Sequence, residues 1–435
     1  MSTVASGTPA DTPVRPIGAF ERVFYRFAER NPTHFSVVAE FDETLAEPHV
    51  RTALGAVQRR HPLLRVRIAD DRETGPAFHL PAPVIPVGLT TYVRAGADWR
   101  PLAAAELARP FDRSVAPLVR ALLLTGVAGS AVILTFDHTV ADGISAIRVL
   151  DDLVVVLNGG HLTPLPVPPS QEDMIDRLLP RPLPTSGDAP DGRMSAPTTV
   201  RPFDGTPPDV VVQELDAEAT IGLARRCRAE ATTVHGAMVT AVSWARSAER
   251  GDRFVRVLSP IDVRALLGAD GDCAVYLTAG TTGLDPADGG GFWDQARSVT
   301  AQLTPARTPA GVASTSARAR QAMPVDAGAD VAQAFFTQGI PFDLLVSNLG
   351  VQEFTAARIR PRAVWGPLVQ SQVADAIVVG IVTYRGCLRM VGCGYQATQG
   401  FLARVAGTLT RAGAGPLSSD PAAPLSPASS AGPRR

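Results

Sequence analysis

The chain has no lysine, and all 41 of its basic residues are arginine. That absence removes Schiff-base catalysis, the phosphate-binding lysine of a P-loop and a serine–lysine nucleophile pair. Cysteine is scarce, with only Cys227, Cys273, Cys387 and Cys393 and no C-x-x-C spacing. A disulfide framework or zinc site is therefore not expected, and buried free thiols in a reducing compartment are. Neither sign of charge is in excess: 41 basic against 42 acidic residues leave a net charge of -1, which supplies no long-range field for nucleic acid or an anionic membrane. Long apolar runs are also missing. The run from Ala121 to Phe136 falls short of the roughly 20 residues a membrane helix needs, and Gly126, Gly129 and Ser130 interrupt it. The first residues show no apolar core behind a basic stretch, so no secretory signal is read there. These absences lead us to expect a cytoplasmic monomer with no metal, no nucleic-acid partner and no membrane span, whose binding depends on a local pocket.

Proline and glycine are plentiful, at 38 each, and they set the organisation. Residues 1–14 and 412–435 are built from Ser, Thr, Ala, Gly and Pro and are expected not to fold. Inside the body, the stretch from Leu162 to Pro208 is dense in proline and turn formers, which interrupt helices and central strands. It reads as a crossing linker over 166–208 between a first lobe at 15–165 and a second at 209–411. Each lobe mixes both periodicities. LAEPHVRTALGAVQRR is spaced as a helix ending at His61-Pro62, and VRALLLTGVAGSAVILTF as two strands turning near Gly129-Ser130. ISAIRVLDDLVVVLNGG places Ile144, Ile147, Leu150, Val154 and Leu157 on one helical face. In the second lobe, two helical stretches precede the strand-like RFVRVLSPIDVR and FDLLVSNLG, and AIVVGIVTYRGCLRMVGCGY reads as a hairpin turning at Arg385-Gly386. Strands interleaved with helices in both halves predict an α/β class with two sandwich-like lobes.

Chemistry concentrates in Phe136-Asp137-His138-Thr139-Val140-Ala141-Asp142-Gly143, where an apolar strand runs out and a helix begins. A rigid strand end can present a reactive side chain, and histidine takes and returns a proton near neutral pH. Gly143 permits a tight turn beneath it. By pattern alone His138 is either a candidate base or a structural strand-end residue.

H-x-x-x-D-G after an apolar strand resembles the signature of the condensation-domain and coenzyme A-dependent acyltransferase superfamily. RRHPLLRVRI, RPFDRSVAPLVRALLL, LSPIDVR, VSNLG and VTYRGCLRM resemble the same superfamily in order, so the likeness spans about residues 20 to 405. VSNLG and VTYRG look closest to its polyketide-associated branch, the phthiocerol dimycocerosyl transferase-like O-acyltransferases. The resemblance implies two chloramphenicol-acetyltransferase-like lobes in a V, with an active-site tunnel between them. It also implies His138 as general base and Asp142 as a structural residue paired with an arginine, for which Arg264 is the candidate. Ser347 and Asn348 are candidates for oxyanion or tunnel contacts, or else a strand-end turn before Gly350.

Two departures from the pattern matter. Asp137 stands where peptide-forming condensation domains usually carry a second histidine. Asp137, Asp142 and Ser145 also fit the D-x-x-x-x-D-x-x-S of heterocyclising domains. The D-F-G-W-G of plant alcohol acyltransferases, G-x-S-x-G and H-E-x-x-H are absent, Gly289-Gly290-Gly291 follows no strand, and His235 near a helix start reads as a local hydrogen-bonding group. The expectation is an O-acyltransferase with no permanent cofactor that uses a coenzyme A or phosphopantetheine thioester as co-substrate. Its partners would be a small-molecule alcohol and an acyl-carrier protein. The alternatives are amide-forming condensation, heterocyclisation and a non-catalytic recruitment module.

Overall fold

The structure, a computed structural model, describes residues 11–71, 74–93, 98–179, 191–269, 271–288, 290–355 and 358–414. Apolar and β-branched runs give fourteen strands among these residues: β1 (Thr12–Pro16), β2 (Phe35–Phe41), β3 (Arg67–Asp71), β4 (Gly75–Leu80), β5 (Gly88–Val93), β6 (Val119–Gly126), β7 (Gly129–Phe136), β8 (Asp209–Leu215), β9 (Val255–Asp262), β10 (Leu277–Leu284), β11 (Leu344–Gln352), β12 (Ala363–Val369), β13 (Ile377–Tyr384) and β14 (Cys387–Gly394). They form a five-stranded sheet in the order β12-β2-β7-β6-β5, a six-stranded sheet β10-β9-β11-β13-β14-β8 and a small sheet β1-β4-β3.

The five-stranded sheet is covered on both faces, and all eight residues of β7 are buried. Strand alternation sends Val37, Ala39, Val132 and Leu134 into one core, against Val50, Leu54 and Val57 of the helix Glu47–Arg60 and Ile147, Leu150 and Val154 of the helix Gly143–Leu157. Val38 and Ile133, on the opposite face, meet Trp99, Leu107 and Trp365 together with Val391 and Cys393 of β14. The two lobes therefore share apolar contacts. The six-stranded sheet has its own core under the helices Ala217–Ala229, Val234–Arg250 and Gln399–Ala414.

The hairpin turn at Arg385-Gly386 forms as its sequence predicts, with φ of 52° and 79°. The earlier hairpin turns at Val127-Ala128, between the paired Gly126 and Gly129, two residues before the expected position. β12 lies in the second half of the chain yet pairs with β2, Val369 opposite Phe35. Its Pro367 carbonyl crosses so close to Gly380 that a Cβ there would sit 2.0 Å away. Only glycine fits this crossing.

The 14/15 boundary falls inside β1, the final helix runs on to Ala414, and residues 1–10 and 415–435 lie outside the described residues. The proline-rich stretch, described except for 180–190, holds the helix Gln171–Leu178 and a short helix Gly192–Ser195. It is fastened to both halves: the Pro168 carbonyl accepts from Arg15 Nε (2.8 Å), the Pro169 carbonyl from the Tyr276 hydroxyl (2.9 Å), and Glu172 Oε1 from the Phe20 amide (2.8 Å).

Candidate active site between the lobes

The motif loop begins where β7 ends and is held from within. The Asp137 amide donates to the Leu118 carbonyl (3.0 Å), and its carboxylate accepts from the Thr139 amide (2.9 Å) and the Thr139 hydroxyl. Asp137 is thereby used up in the loop and does not line the central cavity. At the far end, Asp142 is the N-cap of the helix Gly143–Leu157, its Oδ1 accepting from the Ser145 amide at 2.9 Å. At Gly143 a Cβ would lie 2.6 Å from Leu349 Cδ2 of β11, so the loop and the second lobe meet at this residue.

Asp142 and Arg264 form a fork: Nη1 to Oδ2 and Nη2 to Oδ1 are both 2.9 Å, with the two side chains 4% and 1% exposed. A buried pair of this kind depends on hydrogen bonds to its other polar atoms, and of these Arg264 Nε alone goes without one. Here the Tyr276 amide donates to Asp142 Oδ2 (2.9 Å), Arg264 Nη1 also reaches Asp262 (2.9 Å), and Nη2 reaches the Ser145 hydroxyl (2.8 Å) and the Ala274 carbonyl (3.0 Å). Burial alone would raise the Asp142 carboxyl, but the Arg264 guanidinium outweighs it and holds the group below the ordinary carboxylate range. Burial likewise works against the Arg264 charge, and the Asp142 carboxylate overcomes it, leaving the guanidinium more basic than usual. The ion pair ties the base of the motif loop to the second lobe just after β9.

His138 stands above this anchor and lines a cavity of about 1170 Å³ bounded by residues of both lobes. Phe24 stacks flat on the imidazole, with ring centroids 4.0 Å apart and planes at 2°, and Phe35 approaches at 4.9 Å and 48°. Nδ1 is buried against the loop backbone at His138 and Ala141, which leaves Nε2 as the nitrogen open to a bound molecule. Burial pushes the imidazole below its usual value of 6.5, opposed only partly by the Asp142 carboxylate, so the ring is neutral at neutral pH.

From the second lobe, Ser347 and Asn348 both line the cavity; they lie in the middle of β11, not at a strand end, just before its register with β13 shifts between Asn348 and Val351. Asn348 Oδ1 accepts from the Gly350 amide (2.9 Å), which leaves its Nδ2 as the end able to donate to a ligand. His138, Asp142, Gly143, Arg264, Ser347 and Asn348 all line this one cavity. His235 is not: its Nε2 meets the Ser259 hydroxyl (2.9 Å), and burial takes it down to about 4. Gly291 caps the helix Phe292–Leu303, and Gly289 lies outside the described residues. Among the described residues no cluster of His, Cys, Asp or Glu could hold a metal, and no helix is long and apolar enough to cross a membrane. All four cysteines are free. Sequence reasoning missed Phe24 and Phe35 on His138 and the second function of Ser145 inside the ion pair. None of these carries a local signature, because each contact is made by folding.

Among solved structures the chain is similar to polyketide synthase associated protein 5 from Mycobacterium tuberculosis, with TM-score 0.69 and 17% identity over 93% of this chain and 98% of that one. It is also similar to the first condensation domain of the calcium-dependent antibiotic synthetase in complex with a substrate analogue, with TM-score 0.59 and 18% identity over 93% and 97% of the two chains. The chain has the condensation-domain fold. The epimerization domain from the third module of tyrocidine synthetase B shares it, with TM-score 0.61 and 14% identity over 95% of this chain and 97% of that one. Among curated proteins, phosphinothricin tripeptide synthetase PhsC of Streptomyces viridochromogenes is 40% identical over 132 residues, 27% of this chain and 12% of that protein. No family model matches. The condensation-domain fold meets the expectation of two α/β lobes, and β12 is the strand by which the second half of the chain enters the first lobe's sheet.

Proposed function

We propose that the protein is an O-acyltransferase in which His138 is the general base. The observation that carries this reading is a neutral, ring-clamped imidazole whose Nε2 opens on a large cavity between the lobes. Nε2 removes the proton from an acceptor hydroxyl, and the oxygen attacks the carbonyl carbon of an acyl thioester. Asn348 Nδ2 and the Ser347 hydroxyl, both on the cavity wall, are the candidate donors to the tetrahedral oxyanion. Its collapse breaks the carbon–sulfur bond, and the thiolate leaves with the proton from the imidazolium. The donor is a coenzyme A or carrier-bound phosphopantetheine thioester. With no lysine in the chain, arginine is the permanent side-chain cation left to meet its phosphates, and the exposed Arg318 on the cavity wall is the first candidate.

A second reading is amide formation on a carrier-bound substrate, favoured by the 132-residue likeness to a peptide synthetase. Heterocyclisation finds less support, because Asp137 is bound to Thr139 and Ser145 lies inside the ion pair. Acyl-coenzyme A and acyl-carrier donors should be screened against hydroxyl and amine acceptors by intact mass. We expect ester from the wild type and, for His138→Ala, an unchanged circular dichroism spectrum with kcat/KM down about 100-fold or more. Full activity in that variant would remove His138 from the mechanism, and amide as the sole product would favour the second reading.

A further inference from the structure

Aromatic residues make up 6% of the chain, yet seven of its sixteen phenylalanines line the one cavity that holds His138, against four leucines. The wall is aromatic by composition as well as apolar. Its rings form a continuous series leading away from the imidazole. Phe24, stacked on His138, meets Phe336 at 6.4 Å and 40°. Phe336 meets Phe27 at 4.5 Å and 54°, and Phe335 at 5.6 Å and 89°. Phe335 and Phe336 sit on a π-helical turn, Phe335–Gly339, that continues the helix Ala329–Ala334. A wider turn of this kind turns side chains out of the regular helical sequence and recurs at ligand sites. Phe24, Phe335 and Phe336 are only half-buried, so the series shows the cavity an alternation of ring faces and edges.

Such a wall distinguishes ligands that a smooth aliphatic wall would not. A ring's face is negative and its edge positive, so tilted phenylalanines attract another aromatic ring beyond what burial supplies and offer nothing extra to a saturated ring of the same size. We propose that one substrate of this site carries an aromatic ring that seats against Phe24, Phe335 and Phe336 beside His138. This rests on the acyl-transfer reading for what the substrate does, but not for whether it binds. The ring belongs either to the acyl donor or to the acceptor.

Two matched pairs separate these sources: benzoyl-coenzyme A against cyclohexanecarbonyl-coenzyme A, and benzyl alcohol against cyclohexylmethanol. Dissociation constants are measured by calorimetry on the wild-type full chain with each compound alone, so that no transfer can occur, and kcat/KM with the second substrate added. In one pair the aromatic member should bind about tenfold more tightly, and that pair names the substrate that carries the ring. Phe336→Leu should narrow the ratio to within about twofold, and Phe335→Leu serves if the first variant does not fold. Equal affinity within both pairs, no binding by any of the four, or a ratio that survives both substitutions overturns the proposal. An aromatic preference without ester formation keeps the aromatic site and removes the acyl-transfer reading. Ester formation without the preference does the reverse.

Discussion

His138 is useful as a base only if it is unprotonated when substrate arrives, and its surroundings bring that about by burial under two phenylalanine rings. The nearby Asp142 carboxylate would favour the charged imidazolium, but it is committed to Arg264. Rate should therefore fall with acid only below the ordinary histidine value of about 6.5. Phe24→Ala uncovers one face of the ring and returns the pKa toward that value. The acid limb of kcat/KM should then move to higher pH, and Phe24→Leu should move it less. Histidine ring resonances followed by NMR give the same shift without turnover. Arg264 makes a different prediction. Arg264→Met strands the Asp142 carboxylate in the core and should cost about 3 to 5 kcal/mol in urea unfolding, of which Asp142→Leu in the same chain should restore a large part. Asp142 and Gly143 were legible as a motif. Their partner was legible only through resemblance, since 122 positions separate Arg264 from Asp142.

Among the elements, the strand-and-turn pattern read directly wherever one face or one turn dictated the residues. The alternation in β2 and β7 and the left-handed Arg385-Gly386 turn are local requirements and so appear in the sequence. β12 did not read as part of the first lobe, because strand pairing across 323 to 334 positions leaves no periodic trace. Its fit on β13 depends on Gly380. Gly380→Val should force the two strands apart and cost about 1 to 3 kcal/mol or more, seen as a lower melting temperature with the helical signal retained. The proline-rich stretch was read as a tether because proline disfavours regular structure. Its carbonyls at Pro168 and Pro169 and its Glu172 carboxylate instead accept from both halves, a use to which proline's missing amide is no obstacle.

Over the whole molecule, acid should loosen the fold through buried neutral histidines. Burial brings both His34 and His235 down to about 4, against about 6.5 in the unfolded chain. Between those values the unfolded chain binds two protons that the folded chain refuses, so stability falls as pH falls from about 6.5 to 4. Each group adds a slope of about 1.4 kcal/mol per pH unit. Denaturant unfolding across this range should show that slope, and His235→Asn, which can still bond to Ser259, should remove one proton's share.

The sequence by itself determined the class of elements, the place of His138 at a strand end and the chemistries that a lysine-free chain cannot perform. Each follows from residue type and short-range spacing. Only the tertiary structure decided that Asp142 closes on Arg264, that β12 crosses into the first sheet and that scattered phenylalanines converge on His138. These depend on contacts between residues remote in the chain, where burial and hydrogen-bond geometry, not local spacing, select the partner.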